Sequence, residues 1–91
     1  TESLDALVVA AGWGQPASAA ARFEAAEELR WALARLPEAE RDVVVLRDLV
    51  GMDGQETADA LGLSLAAMKS RLHRGRLRLM SVLRGTEGDD G

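Results

Sequence analysis

The sequence predicts an all-α fold, a small four-helix domain with a long last helix. Two observations predict it. Apolar residues recur at helical spacing in four stretches between residues 21 and 84. Proline or glycine stands at the breaks between these stretches, and no stretch has the strict alternation of a half-buried strand. A chain of 91 residues has the size of one small domain with a modest core.

The first helix is predicted from about Ala21 to Leu36. Its apolar stripe includes Phe23, Ala26 and Leu33. Pro37 ends this helix, because the residue before a proline is driven out of the α region. The same proline suits the first turn of the next helix, where its missing N–H costs nothing.

The second helix is predicted from about Glu38 to Val50. Its run of consecutive valines favours a strand by propensity, but the run lies inside a longer stretch of helical spacing, which favours a helix. Gly51 is placed to end this helix in the left-handed conformation. The predicted core stripe of the second helix consists of Ala39, Val43, Leu46 and Val50.

The third helix is predicted over about Gly54 to Leu61, and the fourth begins after Ser64. Asp53 and Glu56 have the spacing of a capping box, and Ser64 is a good N-cap. Gly62 lies between the two helices, where a sharp turn requires a positive φ. Two helices joined by so short a turn predict a helix-turn-helix, although ordinary helical hairpins share this spacing.

Residues 1–20 and 85–91 are predicted to lie outside this domain, which spans residues 21–84. Gly12 and Pro16 break the first segment, which we interpret as a linker. The last segment is acidic and follows a glycine, and we expect it to be disordered.

Charge is distributed unevenly along the chain, although the net charge is only −4. Residues 60–86 contain six basic residues and no Asp or Glu, so the rest of the chain holds all 15 acids. This asymmetry predicts one face that can lie on a polyanion such as nucleic acid, while the other face repels it. A solvated helix face without a partner gives the same pattern, so charge alone leaves both interpretations open.

The fourth helix extends to about Leu83 and carries most of these cations. Its predicted core stripe consists of Leu65, Met68, Leu72, Gly75 and Leu79. The opposite face near its start carries Lys69, Ser70, His73 and Arg74. A recognition helix contacts base edges with residues near its N-terminal end, so these four are candidate base contacts. The patch is flanked by Arg71, Arg76 and Arg78, which are placed for phosphates or for acidic neighbours.

Composition excludes several kinds of site. With no Cys and one His, the chain cannot form a disulfide, a thiolate zinc site or a histidine-pair metal site. Capping explains Asp53 and Glu56, and no nucleophile with an orienting base can be assembled, so neither an enzyme nor a cofactor is expected. The apolar runs are too short to cross a membrane, and the acidic start is unlike a secretory signal. These features predict a cytoplasmic protein without membrane insertion.

Three segments indicate a family. Residues 36–41 read LPEAER, residues 51–58 read GMDGQETA, and residues 69–76 read KSRLHRGR. Together they resemble region 4 of bacterial RNA polymerase sigma factors of the extracytoplasmic-function group, within the sigma-70 family. The resemblance covers about Ala25 to Leu83. Thr57 stands where isoleucine is usual in this family, and we expect looser packing of the third helix there.

The resemblance implies a function and a set of partners. A region 4 domain binds the promoter −35 element in the major groove and docks on the flap of the polymerase β subunit. Many such sigma factors are held inactive by an anti-sigma factor, which is therefore an expected partner. By position in the family motif, the DNA-binding residues are Lys69, Ser70, His73, Arg74, Arg47, Arg71 and Arg76.

Two other interpretations remain open on sequence alone. The first is a DNA-binding helix-turn-helix of the response-regulator type, which has similar second and third helices but usually a shorter last helix. The second is a helical protein-interaction module with no role on DNA. Salt separates the second from a DNA-binding domain, because binding through phosphates weakens steeply as salt rises.

Overall fold

The computed structural model describes residues 18–85, and within that range the chain forms four helices and no β-strand. The all-α fold class is thus confirmed. The four α-helices are α1 (Ala19–Ala34), α2 (Glu38–Val44), α3 (Gly54–Leu61) and α4 (Leu65–Arg84). Helix α2 is continued by a π-helix, Val45–Val50, which we call the π segment.

Helix α1 begins and ends two residues earlier than predicted. It begins early because Ser18 caps it, with the Ser18 hydroxyl oxygen accepting a hydrogen bond from the backbone N–H of Ala21 at 3.0 Å. Ala19 and Ala20, which the sequence assigned to the linker, are therefore helical. Residues 1–17 and 86–91, which hold most of the predicted linker and tail, lie outside the described residues.

Helix α4 organises the core, because it contacts each of the other three α-helices. Met68 and Leu79 are its most deeply buried side chains, as the predicted stripe requires. Leu65, at the start of the same stripe, is 37% exposed, so its assignment to the core was wrong. The buried apolar residues are Ala32, Leu33, Leu36, Val43, Val44, Ala58, Met68, Leu72, Leu79 and Val82.

The predicted core face of α1 is wrong over its first half. Phe23 is 64% exposed, and Ala26 is exposed as well. Leu29 is the first large apolar residue of α1 that packs against the core, and the buried residues of the helix are Ala32 and Leu33. Helical spacing gives the direction of an apolar stripe but not how far along the helix a neighbour covers it.

The predicted core stripe of the second helix is also wrong in part. Ala39 and Val50 are exposed, whereas Val44 and Glu40 are buried beside the correctly predicted Val43. An acidic residue can occupy this face because its carboxylate has a partner: Arg78 Nε donates to a Glu40 carboxylate oxygen at 2.8 Å. A pattern based on hydropathy alone excludes such a residue from the core.

A close approach of α2 to α4 occurs at Gly75. A Cβ atom at this position would lie 2.9 Å from Val44 Cγ2 and 3.2 Å from the carbonyl oxygen of Glu40. Real Cβ atoms essentially never show the first of these distances. Glycine therefore sets how closely the two helices pack.

The turn between α3 and α4 forms as predicted. Gly62 has φ 68°, and the N–H of Leu63 donates to the carbonyl of Ala58 at 2.9 Å, which closes the end of α3. Asp53 and Glu56 form the reciprocal capping box at its start.

Thr57 is completely buried, and its hydroxyl donates to the carbonyl of Asp53 at 2.9 Å. This burial argues against the looser packing that the sequence suggested at this position. Over residues 18–85, none of the helices is both long and apolar enough to cross a bilayer.

Candidate nucleic-acid interface

Helix α4 has one face in the core and one face in solvent, as a recognition helix requires. Ser64 caps it, with its hydroxyl oxygen accepting from the N–H of Ala67 at 3.0 Å. Met68, Leu72 and Leu79 lie on the core side. The helix is therefore fixed along its length, and its opposite face is held outward.

The outward face near the start of α4 carries the basic patch, which we define as Lys69, Ser70, His73 and Arg74. All four side chains are exposed. None of them has a side-chain hydrogen bond or ion pair with another residue in the range 18–85. Their donors are therefore available to an external ligand. The structure brings these four predicted residues together on one surface.

Arg71 lies apart from the basic patch and is half-buried. It lines a hollow of about 260 Å³ together with the acidic residues Glu38 and Asp42. Two carboxylates near a guanidinium weaken its attraction for a phosphate. Arg71 therefore differs from the basic patch in both exposure and surroundings.

Arg76 and Arg78 face acidic neighbours, which was one of the two possibilities that the sequence left open. Arg76 binds Asp48 through two hydrogen bonds, Nε to Oδ2 at 2.9 Å and Nη2 to Oδ1 at 2.7 Å. Arg78 binds Glu40. The Nε–Nη2 edge of the Arg76 guanidinium is therefore occupied by Asp48 and is not available to a phosphate.

Arg47 lies on the π segment, not on α4. Its side chain is half-buried, and Nη1 donates to the carbonyl of Met52 at 3.3 Å. Arg47 therefore holds the loop that leads into α3, and its predicted role as a DNA contact stays a prediction.

Sequence reasoning missed the two carboxylates that pair with α4. Asp48 and Glu40 lie on the helix that precedes the helix-turn-helix, 28 and 38 residues before their partners. The sequence did offer a signal for such pairs: Glu40 stands beside the apolar stripe of the second helix, and Arg76 follows Gly75 in the core stripe of the fourth. Within the described part of the chain, no cluster of His, Asp or Glu could hold a metal ion.

Comparison with known proteins assigns the family. Residues 26–79 match the family model described as Sigma-70, region 4. The chain belongs to the sigma-70 region 4 family. The resemblance that the residue motifs indicated is confirmed, and the response-regulator interpretation gives way to it. Proteins of this family are transcription initiation factors and not enzymes, as the sequence led us to expect.

Curated relatives of this sigma-70 region 4 chain are sigma factors from several bacteria. RNA polymerase sigma factor SigZ of Bacillus subtilis is 39% identical over 62 residues, which cover 68% of the chain and 35% of the relative. RNA polymerase sigma factor NccH of Alcaligenes xylosoxydans is 36% identical, with 81% of the chain and 39% of the relative covered. ECF RNA polymerase sigma factor SigE of Mycolicibacterium smegmatis is 41% identical, with 62% and 22% covered.

The sigma-70 region 4 chain thus spans at most about two fifths of the length of these relatives. No solved structure gives a significant match.

Proposed function

We propose that this chain is the −35 element-binding region 4 of an extracytoplasmic-function sigma factor. In this proposal α4 enters the major groove and the basic patch reads base edges. The observation that carries the proposal is the basic patch itself: four exposed side chains without partners in residues 18–85, on a helix whose opposite face is buried. This geometry presents donors to a groove without any need to break existing bonds.

The chemistry of the basic patch suits base recognition. Arg74 and Lys69 donate hydrogen bonds and suit guanine O6 and N7 in the major groove. The Ser70 hydroxyl and a neutral His73 can each donate or accept. We assign Arg47 and Arg71 to the phosphate backbone by their positions in the family motif. Both are half-buried, and Glu38 and Asp42 beside Arg71 make it the weaker of the two phosphate candidates.

We further propose that the domain docks on the β flap of RNA polymerase and is covered by an anti-sigma factor when inactive. Exposed apolar side chains support a protein partner: Phe23 and Trp31 on α1 are 64% and 56% exposed, and Val50 on the π segment is 63% exposed. Such residues gain free energy when a partner covers them. A cytoplasmic location follows from the proposed partners.

The proposed base contact is tested with the full-length sigma factor assembled with core polymerase. Arg74→Ala is expected to cost about 1–3 kcal/mol of promoter binding and to reduce the preference for promoter over scrambled sequence. Arg84→Ala is the matched control, since Arg84 is an exposed arginine at the far end of the same helix. Equal losses for both variants on both DNA sequences contradict a base-reading role.

Salt tests whether the basic patch contacts DNA at all. The logarithm of the binding constant is expected to fall linearly with the logarithm of salt concentration, by about 0.9 per phosphate contacted. An affinity for promoter DNA that ignores salt favours the protein-interaction module instead.

The anti-sigma proposal has a separate test. A coexpressed candidate anti-sigma factor is expected to form a complex with the domain in analytical ultracentrifugation, and Val50→Asp is expected to weaken that complex. A complex that Val50→Asp leaves unchanged contradicts this part of the surface. The absence of any complex with the candidate counts against regulation of this kind.

A further inference from the structure

The π segment is bonded to the loop that leads into the helix-turn-helix and to its second helix, α4. Arg47 donates to the carbonyl of Met52, which directly precedes the N-cap of α3. Asp48, the next residue, binds Arg76 of α4. Two adjacent side chains therefore reach the loop that leads into α3 and helix α4.

The bond to α4 is the stronger of the two by geometry. It consists of two hydrogen bonds, at 2.9 and 2.7 Å, between charged groups. The Asp48 side chain is only 4% exposed, and that of Arg76 is 24% exposed. A two-pronged pair of this kind fixes direction as well as distance, and loss of either partner leaves a desolvated charge.

The backbone of the π segment also directs the chain toward α3. The carbonyl of Leu46 accepts hydrogen bonds from the N–H groups of both Gly51, at 3.1 Å, and Met52, at 3.0 Å. Gly51 has φ 92°, which lets the chain turn at once toward α3. Short π-helical stretches are rare and frequently lie at functional sites.

We infer that Asp48 and Arg76 are positioning residues for promoter recognition, and that Arg76 makes no phosphate contact. The ion pair holds α4 against the π segment and thereby fixes the direction in which the basic patch points. This inference rests on the proposed function. It reassigns Arg76, which the family resemblance implied as a DNA contact.

The test uses the full-length sigma factor with core polymerase and two variants that each remove one charge of the ion pair, Asp48→Asn and Arg76→Gln. Each is expected to lower the preference for promoter over scrambled DNA by about tenfold, comparable to one mismatched base pair. The salt slope is expected to stay unchanged, because the number of phosphates contacted is the same. The exchange Asp48→Arg with Arg76→Asp is expected to recover part of the preference.

Glu40→Gln is the matched control. It weakens the second ion pair between α4 and the preceding helix, that of Arg78, without touching the π segment. Promoter preference is expected to survive this change. A loss equal to that of Asp48→Asn contradicts a special role for the π segment.

Two results overturn the inference. The first is a salt slope that falls by about 0.9 in Arg76→Gln but not in Asp48→Asn, because this identifies Arg76 as a phosphate contact. The second result comes from backbone amide NMR spectra recorded without DNA. If Asp48→Asn changes chemical shifts only next to residue 48, and not in α3 or at the start of α4, the ion pair does not position these helices.

The NMR measurement also separates this inference from the proposed function. If the unmodified protein fails to bind promoter DNA while the shift changes extend across residues 53–70, the proposed function fails, and only the structural part of the inference stands: the ion pair fixes the orientation of α4. If the protein binds promoter DNA and the changes remain local, the positioning role fails and the proposed function stands.

Discussion

The six basic residues of α4 include some that face solvent and some that face an acidic side chain. Lys69 and Arg74 face solvent, whereas Arg76 and Arg78 face the carboxylates of Asp48 and Glu40. The sequence predicted the number of these cations and the side of the helix that carries the basic patch. It did not predict the ion pairs of Arg76 and Arg78, because each pair joins residues 28 or 38 positions apart and leaves no local pattern.

Met68 is one of the residues whose truncation is expected to destabilise the domain strongly. It is 1% exposed and among the largest completely buried side chains. Met68→Ala removes buried volume between α3 and α4 and is expected to lower the free energy of unfolding by about 2–5 kcal/mol. Chemical denaturation measures this change.

Leu77→Ala is its control on the same helix. Leu77 is 50% exposed, so its truncation is expected to change stability by no more than about 0.5 kcal/mol. Similar losses for the two variants contradict the buried position of Met68.

At the scale of the element, helix ends were predictable where the signal is local. Ser64 caps α4, the box of Asp53 and Glu56 caps α3, and Gly62 turns the chain, all as the sequence indicated. The π segment was not predictable, since Asp48 has its partner in α4 and Arg47 bonds to the loop before α3. The core face of α1 was wrong over its first half for a similar reason: Phe23 is 64% exposed, and among residues 18–85 no other element covers it.

Gly62→Ala tests the turn between α3 and α4. Gly62 has φ 68°, and no atom lies within 4 Å of a Cβ built there, so the cost comes from backbone conformation alone. The variant is expected to lose about 1–2 kcal/mol of stability in thermal unfolding. Gly62→Asn is expected to lose less, because asparagine tolerates the left-handed region. A larger loss for asparagine than for alanine contradicts this explanation.

At the scale of the whole molecule, the close packing of α2 against α4 holds the domain together. Gly75 allows this approach because a side chain there meets Val44 and the backbone of Glu40. The ion pairs of Arg76 and Arg78 join the same two helical layers. Close packing and paired charges therefore act on one interface.

Gly75→Val is expected to force the two layers apart. Overpacking of this kind lowers the free energy of unfolding by about 1–3 kcal/mol, which chemical denaturation measures. Ala67→Val places the same side chain on the exposed face of α4, where only helix propensity acts and the loss is expected to stay below about 1 kcal/mol. Equal losses contradict the close approach at Gly75.

The first half of α1 extends beyond the buried core. Residues 19–28 bury no side chain completely and extend about 15 Å at 1.5 Å per residue before Leu29 packs against the core. Over the described residues, this half of α1 is therefore a rod of helix whose exposed side chains, such as Phe23, are accessible to an external molecule.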